Sequence, residues 1–277
     1  MTALLALLAT RHEPWDTLGD LWHPIWLIWW TVIGTPIHAV LKAFLGVLSG
    51  NSVAESIGPF GIAIVLLTIL IKLIIAPIFQ YQLTTSRRVQ AEQRRIAPQL
   101  SALRKKYKKD PQRLNQETMA LYKEHNINPL AQMSGCLPAL IQSPILIALF
   151  YVIRDAHQSL PIHDFTFLGI FLDKTALQHG QFPLAILLPI LAGLTTFVQT
   201  KMMTQPGQVQ DPTQAAMTQN MTLIMPVFIG FISLNFAAAL ALYWVVSNLF
   251  SIGQQYFITG WGSLSPIAER LRRGNAA

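Results

Sequence analysis

Five stretches of about twenty residues, near 58–80, 134–153, 182–203, 217–234 and 237–257, contain neither Asp nor Glu and are mostly apolar. No other feature constrains the fold so strongly. The hydrocarbon core of a bilayer is about 30 Å thick, and a helix crosses it with about 20 residues. Backbone groups in lipid must satisfy one another, so each stretch that crosses has to be helical. Composition agrees, with 52% of the 277 residues hydrophobic and only 12% charged. Soluble domains carry about twice that share of charge. The pattern predicts an all-α membrane protein with a five-transmembrane-helix core over 58–257. A few residues around Asn235 separate the last two stretches, which implies a tight hairpin.

The formal charge of +7 is concentrated in one place. Segment 81–133 holds eleven Lys or Arg against four Asp or Glu, whereas 155–181 and 1–57 are net acidic. Positive connections stay in the cytoplasm. The first span then runs from outside to inside, and five spans leave the C-terminus cytoplasmic. The short basic tail 258–277, with Arg270, Arg272 and Arg273, fits that side.

The N-terminal segment 1–57 is expected outside. Its apolar start, Met1–Ala9, lacks the basic residues that open a signal peptide. Residues 21–48 are rich in Trp and Leu but interrupted by Pro24, Gly34, Pro36, His38 and Lys42. Trp22, Trp26, Trp29 and Trp30 suit the headgroup zone, so an interfacial helix on the outer surface is expected, with a sixth span as the alternative.

Within 81–133, Val89, Ile96, Leu100, Leu103 and Tyr107 form one helical stripe, and Leu114, Thr118, Leu121, Tyr122 and His125 form another. Asp110-Pro111 between them reads as an N-cap and first helical residue. The result is a basic cytoplasmic helical hairpin. Its partner is ribosomal RNA, anionic lipid or none, a solvated face that only fixes topology. Sequence-specific nucleic-acid binding is not expected, since no RNA-reading motif or aromatic interleaving is present. The single cysteine, Cys136, excludes an internal disulfide and a cysteine-clustered metal site.

Lys72 lies inside the first span. A lysine at the centre of a spanning helix costs about 2.5–3.5 kcal/mol on insertion scales, less where it snorkels. No span supplies an acidic partner, so the charge must meet water, a carbonyl or a polar side chain. Thr68 shares its helical face. Gln142, Thr195, Thr196, Gln199 and Asn248 are available to line a shared wet space with it. The plainer readings are snorkelling for Lys72 and ordinary interhelical hydrogen bonding for Gln142 and Asn248. Trp244, read alone, is packing or an interface anchor.

Several of these residues resemble one family. Leu121-Tyr122-Lys123-Glu124, Asn128-Pro129-Leu130, Gly135-Cys136-Leu137-Pro138 and Ile141-Gln142-Ser143-Pro144-Ile145 are similar to the second core span of the YidC/Oxa/Alb insertases. Met225-Pro226 and Leu242-Tyr243-Trp244-Val245-Val246-Ser247-Asn248-Leu249 resemble their last two spans, and Asp211-Pro212 with Met217 their second cytoplasmic loop. The ordered set covers about 58–257.

The resemblance implies a bacterial plasma-membrane protein whose five helices surround a hydrophilic groove open to cytoplasm and lipid. Through it nascent membrane proteins enter the bilayer, alone or with the Sec translocon and ribosome. No covalent reaction, nucleotide, cofactor or metal is implied, so the chain is not expected to be an enzyme. The family's groove cation is usually arginine, and Lys72 stands in that place, keeping the charge without the planar fork. Thr68, Gln199 and Trp244 match other groove positions. The short leading segment predicts that the large periplasmic domain of Gram-negative relatives and the lipoprotein cysteine of Gram-positive ones are lacking. The rival classes are a small polytopic transporter, against which stand the missing intramembrane carboxylates, and a passive assembly factor.

Overall fold

The structure is a computed structural model, and it describes residues 23–125, 137–155, 160, 165–177, 184–203 and 212–265. Trp22, the motifs around Asn128, Gly135 and Cys136, residue Asp211 and the arginines of the basic tail lie outside these residues. What is described is mostly helical, with one two-stranded hairpin.

The N-terminal region forms one continuous rod. Helix α1, His23–Trp29, passes through a π-helical turn, Trp30–Gly34, into α2, Thr35–Leu48. Pro36 has no N–H to give, and the wider turn just before it lets the helix pass rather than break. Trp30, Ile37, Leu41 and Leu45 make a single buried stripe, while Lys42 on another face is exposed. The stripe packs on α4 and α6, defined below. Trp26 stacks near Trp30, and both rings meet Tyr151 edge-on at 4.9 and 6.2 Å.

Helix α3, Ser52–Ile57, is capped by Asn51, whose side chain accepts from the N–H groups of Val53 and Ala54. Gly58 then breaks the chain with φ +113°, and a Cβ there would fall 2.1 Å from the Thr166 carbonyl oxygen. Only glycine allows both the turn and the contact.

Helix α4, Pro59–Lys106, is one helix of 48 residues. At 1.5 Å per residue it is roughly 70 Å long, more than twice the hydrocarbon thickness. The first apolar stretch and the first arm of the basic hairpin are thus a single rod, with Pro77 and Pro98 inside it. Helix α5, Pro111–Glu124, is the returning arm. Asp110 caps it by accepting from the Arg113 N–H at 3.0 Å. Ile96 and Leu100 of one arm bury against Leu121 and Tyr122 of the other, and His125 meets Gln99 at 3.2 Å. Val89, Tyr107, Leu114 and Thr118 are only half-buried, so the arms share a short core.

Helix α6, Leu137–Arg154, contains Pro144, which leaves the Leu140 carbonyl without its usual N–H partner. The Ser143 hydroxyl donates to that carbonyl at 3.1 Å. Strands β1, Thr166–Phe167, and β2, Ile170–Phe171, follow. Their segment closes one end of the bundle. The Leu168 N–H reaches the Ile57 carbonyl at 2.7 Å, while the carbonyls of Leu172 and Lys174 accept from Ala239 and Ala238. Those two N–H groups open helix α9, Ala238–Thr259, and would otherwise lack partners.

Helices α7, Leu187–Met203, and α8, Pro212–Asn235, form a close pair. Gly193 and Gly230 face each other across it, and a Cβ on Gly193 would sit 3.0 Å from the Pro226 carbonyl. Small residues at such a crossing let backbones approach and gain dispersion contacts in lipid.

Three described helices are long and apolar enough to cross a membrane: Trp26–Leu48, Pro59–Lys106 and Leu184–Met203. Leu140–Arg154 and Asn220–Asn235 are shorter apolar helices. Helix α9 has the length but is diluted by Ser247, Asn248, Ser251, Gln254 and Gln255. Those polar residues carry the site.

Candidate functional site

Helix α9 changes character along its length. Its first half buries Ala238, Ala239, Leu240, Ala241, Leu242 and Tyr243 in the main apolar core, with Phe60, Ile64 and Leu67 of α4 and Leu149 and Val152 of α6. Its second half buries Ser247, Asn248, Ser251 and Gln255. The spacing of one, three and four residues keeps these on one face. Burying polar groups is unfavourable unless they are paired, and two of these, Asn248 and Ser251, find partners on other helices.

Lys72 is the centre of the first group. It stands on α4 roughly 20 Å along the rod from Pro59. Its ammonium donates to Gln142 Oε1 of α6 and to Ser251 Oγ of α9, each at 3.1 Å. Gln142 Nε2 in turn donates to the Tyr243 hydroxyl of α9. The Phe79 ring, two turns along α4, lies 6.0 Å from the ammonium. Both hydrogen-bond partners of Lys72 are neutral. Among the described residues no carboxylate comes within ion-pairing distance, and the pairs Arg95–Glu92 and Arg154–Asp155 lie elsewhere.

The second group ties α9 to α7. Asn248 Nδ2 donates to Thr195 Oγ1 at 3.0 Å and to Thr196 Oγ1 at 2.8 Å. The two hydroxyls pass their own protons back to the carbonyls of Leu191 and Ala192, at 2.7 Å each. A third contact, Gln254 Nε2 to the Ala76 carbonyl at 2.8 Å, fastens α9 to α4 just past Lys72.

Of the residues expected at the site, the structure joins Lys72 to Gln142 directly and places Asn248 in the adjoining group with Thr195 and Thr196. Thr68 is fully buried one turn from Lys72, but its hydroxyl donates to the Ile64 carbonyl of its own helix at 2.6 Å. Gln199 and Trp244 are half-buried, and among the described residues neither is hydrogen-bonded to these groups. Sequence reasoning missed Ser251 and Tyr243. The polar period of α9 was a usable signal for Ser251. Nothing in the order of residues pointed to the Tyr243 hydroxyl, whose ring belongs to the apolar core.

The cluster holds one cation among neutral oxygens, and among the described residues no carboxylate competes there for an arriving anion.

Comparison with known proteins gives the family. A family model described as 60Kd inner membrane protein matches residues 52–263. Membrane protein insertase YidC 1 of Halalkalibacterium halodurans is 44% identical over 207 residues, covering 73% of this chain and 71% of that protein. Membrane protein insertase MisCA of Bacillus subtilis is 42% identical over 205 residues, with 73% and 70% covered. Membrane protein insertase YidC of Fusobacterium nucleatum is 37% identical over 227 residues, 82% of this chain and 98% of that protein. The matched region contains Lys72, Gln142, Tyr243, Asn248 and Ser251, and on it this chain belongs to the YidC/Oxa family of 60Kd inner membrane proteins.

Proposed function

We propose that this protein passes the polar tail of an entering membrane protein alongside Lys72 while the tail's hydrophobic segment leaves sideways into lipid. Family membership makes the chain a membrane protein insertase, a non-enzymatic one. The observation that carries the mechanism is an ammonium set deep along a spanning rod and held by two neutral oxygens. A carboxylate about 4 Å from that charge gains about 4 kcal/mol at an effective dielectric of 20, against about 1 in water. That gain is comparable to the roughly 2.5–3.5 kcal/mol needed to bring an aspartate to mid-membrane. Lys72 therefore lowers the barrier chiefly for acidic tails.

In this reading the apolar stretches of α4, α6, α7, α8 and α9 are the five spans, and the basic hairpin and C-terminus are cytoplasmic. The α1–α2 rod lies on the outer interface. Support comes from its tryptophans and from Lys42, which is exposed on the flank of the docked stripe and would face lipid in a sixth span. Nascent membrane proteins are the substrates, the ribosome and membrane lipids are the candidate partners of the basic hairpin, and the Sec translocon is a candidate partner of the protein as a whole.

The test is insertion of a single-span protein with an acidic outer tail into liposomes holding this protein, read by protease protection. Wild type and Lys72→Arg are expected to insert it, and Lys72→Ala to do so several-fold more slowly at equal abundance. Equal insertion by the alanine variant removes Lys72 from the mechanism. No insertion by any variant favours a partner-dependent assembly factor.

A further inference from the structure

We propose that Gln142 is a carboxamide switch, held in register by Tyr243, that turns over when an acidic group reaches Lys72. The proposal rests on the reading of Lys72 as the groove cation. Its starting point is a directional constraint. A lysine ammonium only donates, so the side of Gln142 facing Lys72 must be Oε1. Nε2 must then face Tyr243, whose hydroxyl accepts. No other orientation satisfies both neighbours.

That resting arrangement is wrong for an acidic tail. A carboxylate is acceptor-only, and beside Lys72 it meets the acceptor oxygen of Gln142. A half-turn of the carboxamide removes the conflict. Nε2 then donates to the carboxylate next to the ammonium, and Oε1 accepts from the Tyr243 hydroxyl, whose proton has swung round. The Gln142–Tyr243 bond is kept with its direction reversed. The Lys72–Gln142 bond is replaced by charge-assisted bonds to the carboxylate, which are the stronger kind. The terminal torsion of glutamine is broad and roughly two-fold, so the turn is easy.

Tyr243 makes the switch two-state. It is 2% exposed, so bulk water does not replace Gln142 as its partner, and a phenol serves equally as donor or acceptor. It touches no substrate and is a positioning residue. Ser251, also a hydroxyl on Lys72, can swing its proton in the same way.

The test compares matched substrates with acidic and neutral tails, inserted into liposomes by the purified full-length chain. Tyr243→Phe removes one oxygen and keeps the ring in the core. It is expected to reduce the preference for the acidic tail several-fold while neutral-tail insertion stays within about two-fold. Gln142→Leu removes the donor itself and should lower acidic-tail insertion at least as much. The double variant should lose no more of the preference than Gln142→Leu alone, because the two act as one unit. Gln142→Glu, which cannot become a donor while ionised, should reject the acidic tail. If Tyr243→Phe slows both tails equally, or keeps the preference that Lys72→Ala abolishes, the switch is wrong and the cation reading stands. If Lys72→Ala leaves the preference intact, the cation reading falls and the switch with it.

Discussion

The two ends of the helix bundle are built on opposite rules. At the end closed by the β-hairpin, α4, α6 and α9 bury Phe60, Ile64, Leu149, Val152 and Leu242 against one another, and the loop backbone satisfies the first N–H groups of α9. Towards the basic hairpin the same helices bury Asn248, Ser251 and Gln255 and half-bury Lys72. The chain changes rule within about two turns of α9, between Tyr243 and Ser251. Dense apolar packing makes one end rigid. In the proposed function the hydrogen-bonded polar residues at the other end confer selectivity, since each bond can be exchanged for one to a substrate. A rigid frame at one end is what allows a loosely held cation at the other to keep its place.

Substitutions at the two ends should separate accordingly. Leu149→Ala, at a fully buried position, is expected to lower stability by about 2–5 kcal/mol, seen as a lower unfolding midpoint in detergent. The preference among tails should not change, and a change would break the division of labour. Gly193→Leu should force α7 and α8 apart and cost about 1–3 kcal/mol by the same measurement. Asn248→Ala removes two bonds between α9 and α7 and should cost about 0.6–1.7 kcal/mol, as polar contacts in membranes usually do. Asp110→Ala, far out on the hairpin, loses its cap. About 1 kcal/mol of local helix stability should go with it, read by hydrogen exchange across α5, with insertion unaltered. A stability loss for Asn248→Ala as large as that for Leu149→Ala would erase the contrast between the ends.

Much of this was legible in the order of residues, because the bilayer imposes a period and a length that composition reports directly. The apolar stretches, the basic block, the Asp110-Pro111 helix start and Lys72 with Gln142 are all readable. Other features depend on partners distant in sequence. The boundary near residue 80 marks a change of composition, but no stop signal accompanies it and α4 runs on to Lys106. Pro36 looked like an interruption, yet a π-helical turn absorbs it and the rod is continuous. The β-hairpin at 166–171 is too short to carry a strand period. Tyr243 reads as core because its ring is core. Its role shows only when Gln142, 101 residues away, is placed beside it.

The most direct measurement is a charge exchange between groove and tail. Wild type and Lys72→Glu, in liposomes at equal abundance, would each be given the same single-span substrate with an acidic or a basic outer tail. If the groove acts through the sign of its charge, wild type inserts the acidic tail and Lys72→Glu loses it while gaining the basic one. If Lys72→Glu slows both tails equally, or neither, insertion does not depend on the charge at position 72, and the central role given to Lys72 is contradicted.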